Sequence, residues 1–164
     1  MVLGMSLETF TFLHVVISMV GIMTGLIVVA VMLQNGALAG WNGFFLTTTI
    51  LTSVTGFFFP AKGLLPSHIV GIISLVVLAV ALFAYYGRHL MGPWRAAYVV
   101  AAVMALWLNV FVGIVQTFGK FAYLHNLAPT GSEPPFAVAQ GLVLILFVVA
   151  GFLALRRFHP PLRT

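Results

Sequence analysis

The sequence predicts an all-α fold, a bundle of five transmembrane helices that forms a single domain over residues 1–164. Two observations lead to this prediction. The chain is 62% hydrophobic and only 5% charged, whereas a soluble domain is about one quarter charged. It also contains five apolar stretches of about 20 residues, the length that a helix needs to cross about 30 Å of hydrocarbon. We therefore expect lipid to surround most of the chain.

Short polar or turn-forming segments separate the five predicted spans. Amide and glycine residues follow the first span, proline ends the second and begins the third, and Gly-Pro precedes the fourth. These residue types are typical of helix ends, and a proline-rich stretch precedes the fifth span. The first span is longer than the apolar core of a signal peptide and no Lys or Arg precedes it, so we expect it to be retained. The spans cover about 10–33, 41–59, 66–86, 94–118 and 136–155.

The basic residues predict the orientation of the bundle, because cytoplasmic loops retain Lys and Arg. With five spans, the loop between the third and fourth spans and the C-terminal tail lie on the same side. The arginines on this side are Arg88, Arg95, Arg156, Arg157 and Arg163, and the lysines on the other side are Lys62 and Lys120. We therefore expect the N-terminus outside and the C-terminus in the cytoplasm.

The composition excludes several kinds of chemistry. The chain has no Asp and no Cys, and its only acidic residues are Glu8 and Glu133. One copy therefore cannot build a carboxylate-caged hard metal site, a thiolate nucleophile or an iron–sulfur centre. No residue is predicted to be catalytic. The net positive charge follows from membrane topology, so the expected partner is the lipid bilayer and not a nucleic acid.

The fourth span carries the most informative polar pattern. Asn109, Gly113, Gln116 and Lys120 are spaced i, i+4, i+7 and i+11, which places them on one face of a helix. An unpaired amide in hydrocarbon costs several kcal/mol, so this face must point into the bundle or into a wet cavity. Two interpretations stay open: hydrogen bonds between helices that fix the packing, or a pocket for a ligand or water.

Further polar side chains are predicted in the same, outer leaflet. His14 lies one turn inside the first span, and Glu133 precedes the fifth span. The candidate ligand-binding residues are therefore His14, Asn109, Gln116, Lys120 and Glu133. The leading hypothesis is a non-enzymatic membrane component or accessory protein that binds a partner helix or a quinone-like or lipid-like amphiphile at this polar face.

Two alternatives come from other classes of protein. His14 and His68 lie at matching depth on two spans, as the axial ligands of haem b do, and His125 would complete a three-imidazole copper or zinc site. No cofactor is predicted in the leading hypothesis. Transport of a proton or small solute past Asn109 and Gln116 is the second alternative, although no acidic residue lies within a span.

Two segments carry a resemblance to a family. Residues 51–60 (LTSVTGFFFP) and 128–136 (APTGSEPPF) resemble those of uncharacterised small polytopic proteins of the bacterial inner membrane, catalogued as hypothetical. The resemblance implies that the chain resides in that membrane. It implies no specific chemistry.

Overall fold

A computed structural model describes residues 1–60, 63 and 66–160 of the chain. Two basic residues that the orientation prediction uses, Lys62 and Arg163, lie outside the described residues. Within the described part, the protein contains helices and no strands, so the all-α prediction is confirmed. The helices are α1 (Leu7–Leu33), α2 (Ala39–Gly56), α3 (Pro66–Leu82), a π-helical turn (Phe83–Gly87), α4 (Pro93–Lys120), α5 (Ala122–Leu127) and α6 (Pro134–Arg157).

The helix ends follow local sequence signals. The Ser6 hydroxyl accepts a hydrogen bond from the Thr9 amide at 3.1 Å and caps α1. Gly92 has a φ of 56°, a left-handed conformation that glycine adopts easily, and Pro93 then begins α4. Pro134 begins α6 in the same way. The short α5 and the π-helical turn have no counterpart in the sequence prediction.

Helix α4 is the central element of the bundle. It packs against α1, α3 and α6 and more lightly against α2, while α2 packs against α1 and α3. This arrangement places α1 and α3 at opposite corners of a four-helix bundle, with α6 outside it against α4 and α1. Side-chain contacts near both ends show that α1, α3 and α6 run in one direction and that α2 and α4 run in the other.

The apolar core occupies only one half of the bundle, which we name the packed half. Tyr98, Phe45 and Leu106 are among its fully buried side chains. The other half, which we name the polar half, contains the start of α1, the end of α2 and the end of α4. Its helices contribute Thr, Ser, Asn and Gln side chains where the packed half has aliphatic ones. The core segments are 28–32, 38–46, 78–85, 98–106 and 154–158.

The helices indicate a membrane protein. Among the described residues, four helices are long and apolar enough to cross a membrane: α1, α3 with its π-helical turn, α4 and α6. The second predicted span corresponds to α2, which has 18 residues and many hydroxyl side chains, and it is not among these four. Five spans and the orientation therefore stay predictions.

Candidate functional site

The hydroxyl groups of α2 are mostly satisfied by the helix itself. The side chains of Thr48, Thr49 and Thr52 donate to carbonyl oxygens one turn earlier, at 2.6, 2.7 and 2.9 Å. Ser53 bonds to its own helix in the same way, and its Oγ also lies 3.0 Å from the Ser74 Oγ of α3. A hydroxyl that bonds to its own helix needs no external partner. These residues nevertheless keep oxygen lone pairs that can accept a hydrogen bond from a neighbouring group.

His14 of α1 is held against the end of α2. Its Nδ1 atom lies 2.7 Å from the Thr55 hydroxyl, and its ring contacts the Phe59 ring edge-on at 5.1 Å between centroids. Gly56 lies beside the same imidazole, because an added Cβ there would lie 4.0 Å from His14 Cε1. The packing of α1 on α2 therefore fixes the position of this predicted site residue.

Asn109 lies deepest in the polar half and faces Gly21 of α1. A Cβ added at Gly21 would lie 3.1 Å from Asn109 Nδ2 and 3.3 Å from the hydroxyl oxygens of both Thr48 and Thr49. Glycine thus leaves a small space between α1, α2 and α4 that is surrounded by polar atoms. Asn109 is only 9% exposed, and its Nδ2 has no hydrogen-bond partner among the described residues. The amide is a buried donor without an acceptor.

Gln116 and Lys120 continue the same face of α4 towards the end of the polar half. Both side chains are exposed, so the face changes from buried at Asn109 to open at Lys120. Gly113, which lies between Asn109 and Gln116 on this face, is near Ile22 of α1, since a Cβ added at Gly113 would be 3.9 Å from Ile22 Cδ1. Lys120 lies close enough to His14 for an electrostatic interaction. The structure therefore brings His14, Asn109, Gln116 and Lys120 to one half of the bundle.

Glu133 is directed into its own loop. Its carboxylate accepts hydrogen bonds from the Thr130 amide at 3.0 Å, the Thr130 hydroxyl at 2.8 Å and the Ser132 amide at 3.1 Å. Partial desolvation raises the pKa of this carboxyl, but the hydrogen bonds outweigh it and lower the pKa to about 2. Because these bonds stay within the loop, we leave Glu133 out of the ligand-binding face.

The histidines do not form a cluster of the kind that the metal alternative needs. Among the described residues, no three His, Cys, Asp or Glu side chains come together to hold a metal ion, and His14, His68 and His125 are all described. His68 stacks on Phe57 at 5.5 Å, whereas His14 contacts Thr55. Phe57 follows Thr55 by two positions, which corresponds to about 200° around a helix axis, so the two imidazoles lie against different sides of the end of α2. The haem alternative stays a prediction.

The packed half contains a polar pair that the sequence analysis missed. The Tyr98 hydroxyl donates to Asn42 Oδ1, and both residues are fully buried. Within the part of the chain that the structure describes, Asn42 Nδ2 lacks a hydrogen-bond partner, as do Trp107 Nε1 and Gln140 Oε1. The one feature of the sequence that could have indicated this pair is the amide residue Asn42 inside an apolar stretch. Its partner could not be found without the order of the helices.

The fold and the site define an all-helical membrane protein with a buried amide donor at the base of its polar half. Comparisons of the chain with protein-family models, with curated proteins and with solved structures find no match.

Proposed function

We propose that the protein is a non-enzymatic component of the bacterial inner membrane that binds an amphiphile in its polar half. The observation that carries this proposal is the unpartnered amide of Asn109. A buried donor that lacks an acceptor costs about 1–3 kcal/mol. A ligand that brings an acceptor oxygen to Asn109 Nδ2 would recover this free energy, and so would a water molecule.

The face of α4 supports an amphiphile as the ligand. A carbonyl, ester or quinone oxygen could accept from Asn109, and the exposed Gln116 and Lys120 could bind polar groups nearer the membrane surface. His14 adds an imidazole from α1. The surrounding helices present apolar side chains to lipid, which suits the tail of such a molecule.

We also propose that α2 is a fifth span, with the N-terminus outside and the C-terminus in the cytoplasm. Its 18 residues correspond to about 27 Å of helix. It runs antiparallel along α1, since Phe45 lies against Gly25, Thr48 against Gly21 and Thr55 against His14. Because α1 is itself long and apolar enough to cross a membrane, the alignment of α2 along it supports α2 as a span. Its hydroxyl groups are compatible with lipid because they bond to its own carbonyls.

Thermal unfolding of the purified full chain in mild detergent tests the binding proposal. The probe is a quinone with a ten-carbon tail, and the variants are Asn109→Leu and Lys120→Met. We expect the probe to raise the Tm of the natural protein by about 5 °C or more at roughly 100 times its Kd, and to raise it less in both variants. Since Lys120 is exposed, its variant reports binding even if Asn109→Leu destabilises the fold.

His125→Gln is the matched control, because it changes an exposed polar residue near the same end of the bundle but outside the proposed face. It should respond to the probe as the natural protein does. An unchanged Tm of the natural protein, or an equal response of all variants, would overturn the proposal. If the quinone has no effect but Asn109→Leu loses a co-purifying membrane protein, the partner-helix hypothesis takes its place.

A further inference from the structure

An apolar groove lies on the membrane-facing side of the packed half, away from the polar face. Its volume is about 470 Å³, within the range of roughly 300–1,000 Å³ that is typical of small-molecule sites. The walls are α3 and α4, and one residue of α6 closes a side. Every lining residue is apolar; they are Val76, Val77, Val80, Ala96, Ala97, Val100, Ala101, Met104 and Leu155.

The groove follows from the small side chains of α4. Ala96, Ala97 and Ala101 lie on one face of this helix, opposite the valines of α3. Alanine is too short to fill the space between two helices at this separation, so a furrow remains open to lipid. Val76 and Val100 on its walls are 61% and 52% exposed. The lining side chains carry no hydrogen-bonding groups, which suits a hydrocarbon chain.

An aromatic contact lies one helical turn beyond the lining residues of α3 and α4. Phe83 follows Val80 by three residues and Trp94 precedes Ala97 by three, so each continues the wall on its own helix. Their rings meet edge to face at 4.9 Å between centroids. The Arg88 guanidinium then lies over the Trp94 ring, 5.8 Å from its centroid.

A second guanidinium lies at the end of α6. Arg156 follows the lining residue Leu155 in the sequence, and its guanidinium lies over the Phe152 ring at 4.3 Å. Arg88 and Arg156 therefore both lie against aromatic rings at the end of the bundle where α4 begins and α6 ends. Arg95 is already engaged, because its guanidinium donates to the carbonyl oxygens of Leu155 and Phe158 at 2.9 and 2.8 Å.

The chain does not supply a side-chain carboxylate for these two arginines. Its only acidic residues are Glu8 and Glu133, which lie at the other end of the bundle, beside the start of α1 and the start of α6. Guanidinium groups stay charged at every physiological pH and bind phosphate through paired hydrogen bonds. The groove is thus an apolar channel near the end of the bundle that carries Arg88 and Arg156, and no side-chain carboxylate of the described residues lies at that end.

We propose that this groove binds a phospholipid with an anionic headgroup, its acyl chain between α3 and α4 and its phosphate beside Arg88 and Arg156. The positive charge of the two arginines favours an anionic lipid over a zwitterionic one. A zwitterionic lipid also has a phosphate, but its ammonium group is repelled by the arginines. A transmembrane helix of another chain could pack against the apolar walls, but it would bring no negative charge to the two arginines. This site uses none of the residues of the polar face. The lipid proposal and the amphiphile proposal can therefore be tested independently.

Native mass spectrometry of the full-length protein tests the proposal. Phosphatidylglycerol and phosphatidylcholine with identical acyl chains are the probes. We expect a bound phosphatidylglycerol that resists dissociation and a weaker phosphatidylcholine adduct. Arg88→Gln and Arg156→Gln should each lower the affinity for phosphatidylglycerol about fivefold, as a basic residue near anionic headgroups is worth ~1 kcal/mol, while Arg88→Lys and Arg156→Lys should retain more of the preference.

A second pair of variants tests the groove itself. Ala97→Phe fills the groove and should abolish the tight adduct of either lipid. Leu146→Phe, which enlarges a side chain that is 67% exposed on α6, is the control and should bind as the natural protein does. If Ala97→Phe fails to fold, Val76→Trp blocks the groove from an exposed position on α3. Asn109→Leu should bind phosphatidylglycerol normally, which separates this site from the polar face.

Three results would overturn the proposal. Equal affinity for the two lipids would show an ordinary lipid contact. Retention of the preference in the Arg88→Gln, Arg156→Gln double variant would place the anionic site elsewhere. A dimer that Ala97→Phe dissociates, without any tight lipid adduct, would show that a second copy covers the groove.

Discussion

The imidazole of His14 and the hydroxyl of Thr55 form a hydrogen bond whose direction is fixed by a third group. Thr55 Oγ1 lies 2.7 Å from His14 Nδ1 and also 2.7 Å from the Leu51 carbonyl oxygen. A carbonyl oxygen can only accept, so the contact with Leu51 uses the single hydroxyl hydrogen of Thr55. This arrangement favours the tautomer in which His14 donates from Nδ1. In the neutral ring, Nε2 is left as an acceptor that can bind a hydroxyl group of a ligand or water.

Replacing Thr55 by valine should change the tautomer of His14. Without the hydroxyl acceptor, the hydrogen on Nδ1 loses its partner, and the ring is free to carry it on Nε2. The imidazole ¹⁵N chemical shifts of selectively labelled protein report which nitrogen is protonated. We expect the Nδ1–H form in the natural protein, a shifted population in Thr55→Val, and a loss of stability of about 0.5–1.5 kcal/mol for the missing hydrogen bond.

Thr52→Val is the control for this experiment, since Thr52 donates to Thr48 within α2. It should leave the His14 spectrum unchanged. Identical spectra for the natural protein and Thr55→Val would show that Thr55 does not set the tautomer.

Gly25 should be essential for the packing of three helices. A Cβ added there would lie 2.6 Å from Leu106 Cδ1 and 2.8 Å from Phe45 Cε2, and both neighbours are almost fully buried. Because neither side chain has space to move, Gly25→Ala should destabilise the protein by about 1–3 kcal/mol. Thermal denaturation in detergent measures the difference.

Gly113→Ala is the matched control for Gly25→Ala. The nearest atom to its added Cβ is 3.9 Å away, and alanine is the better helix former. We expect the Tm of this variant to be equal to or above that of the natural protein. Equal destabilisation of both variants would contradict the close contact at Gly25.

Much of the fold could be predicted from the sequence, whereas the contacts within the site could not. Apolar length and proline and glycine positions predict the helices because those properties act locally. The pairing of His14 with Thr55 depends on which helices are neighbours, and helix order is not encoded in any single span. The regular spacing of Asn109 and Gln116 predicts a shared face correctly, yet one is buried and the other exposed. Burial along that face changes because the tightly packed core is confined to the other half of the bundle.

The carboxyl group of Glu133, in the loop before α6, should titrate at unusually low pH. The pKa of the Glu133 carboxyl is about 2 in the folded protein and about 4.3 in an unfolded chain. A lowered pKa means that the ionised carboxylate stabilises the loop; this stabilisation is complete above about pH 4.3 and is lost as the pH falls through about 2. The amide signals of Thr130 and Ser132, which donate to the carboxylate, should shift with a midpoint near pH 2.

Glu133→Gln should abolish this titration of the two amide signals, because the side chain no longer changes charge. Glu8→Gln should preserve it, since Glu8 lies in the first turn of α1 and not in this loop. A midpoint near pH 4.3 in the natural protein would contradict the hydrogen-bonded carboxylate.

The absence of cysteine from the sequence permits a direct test of whether α2 crosses the membrane. Gln34→Cys and Pro60→Cys introduce single thiols beyond opposite ends of α2, at exposed positions. If α2 is a span and the N-terminus is outside, a membrane-impermeant maleimide added to intact cells should label Pro60→Cys and leave Gln34→Cys unlabelled until the membrane is opened. Ser132→Cys should behave like Pro60→Cys, and His89→Cys like Gln34→Cys. Labelling of Gln34→Cys and Pro60→Cys from the same side would exclude α2 as a span, and the reverse pattern at all four positions would invert the orientation while retaining five spans.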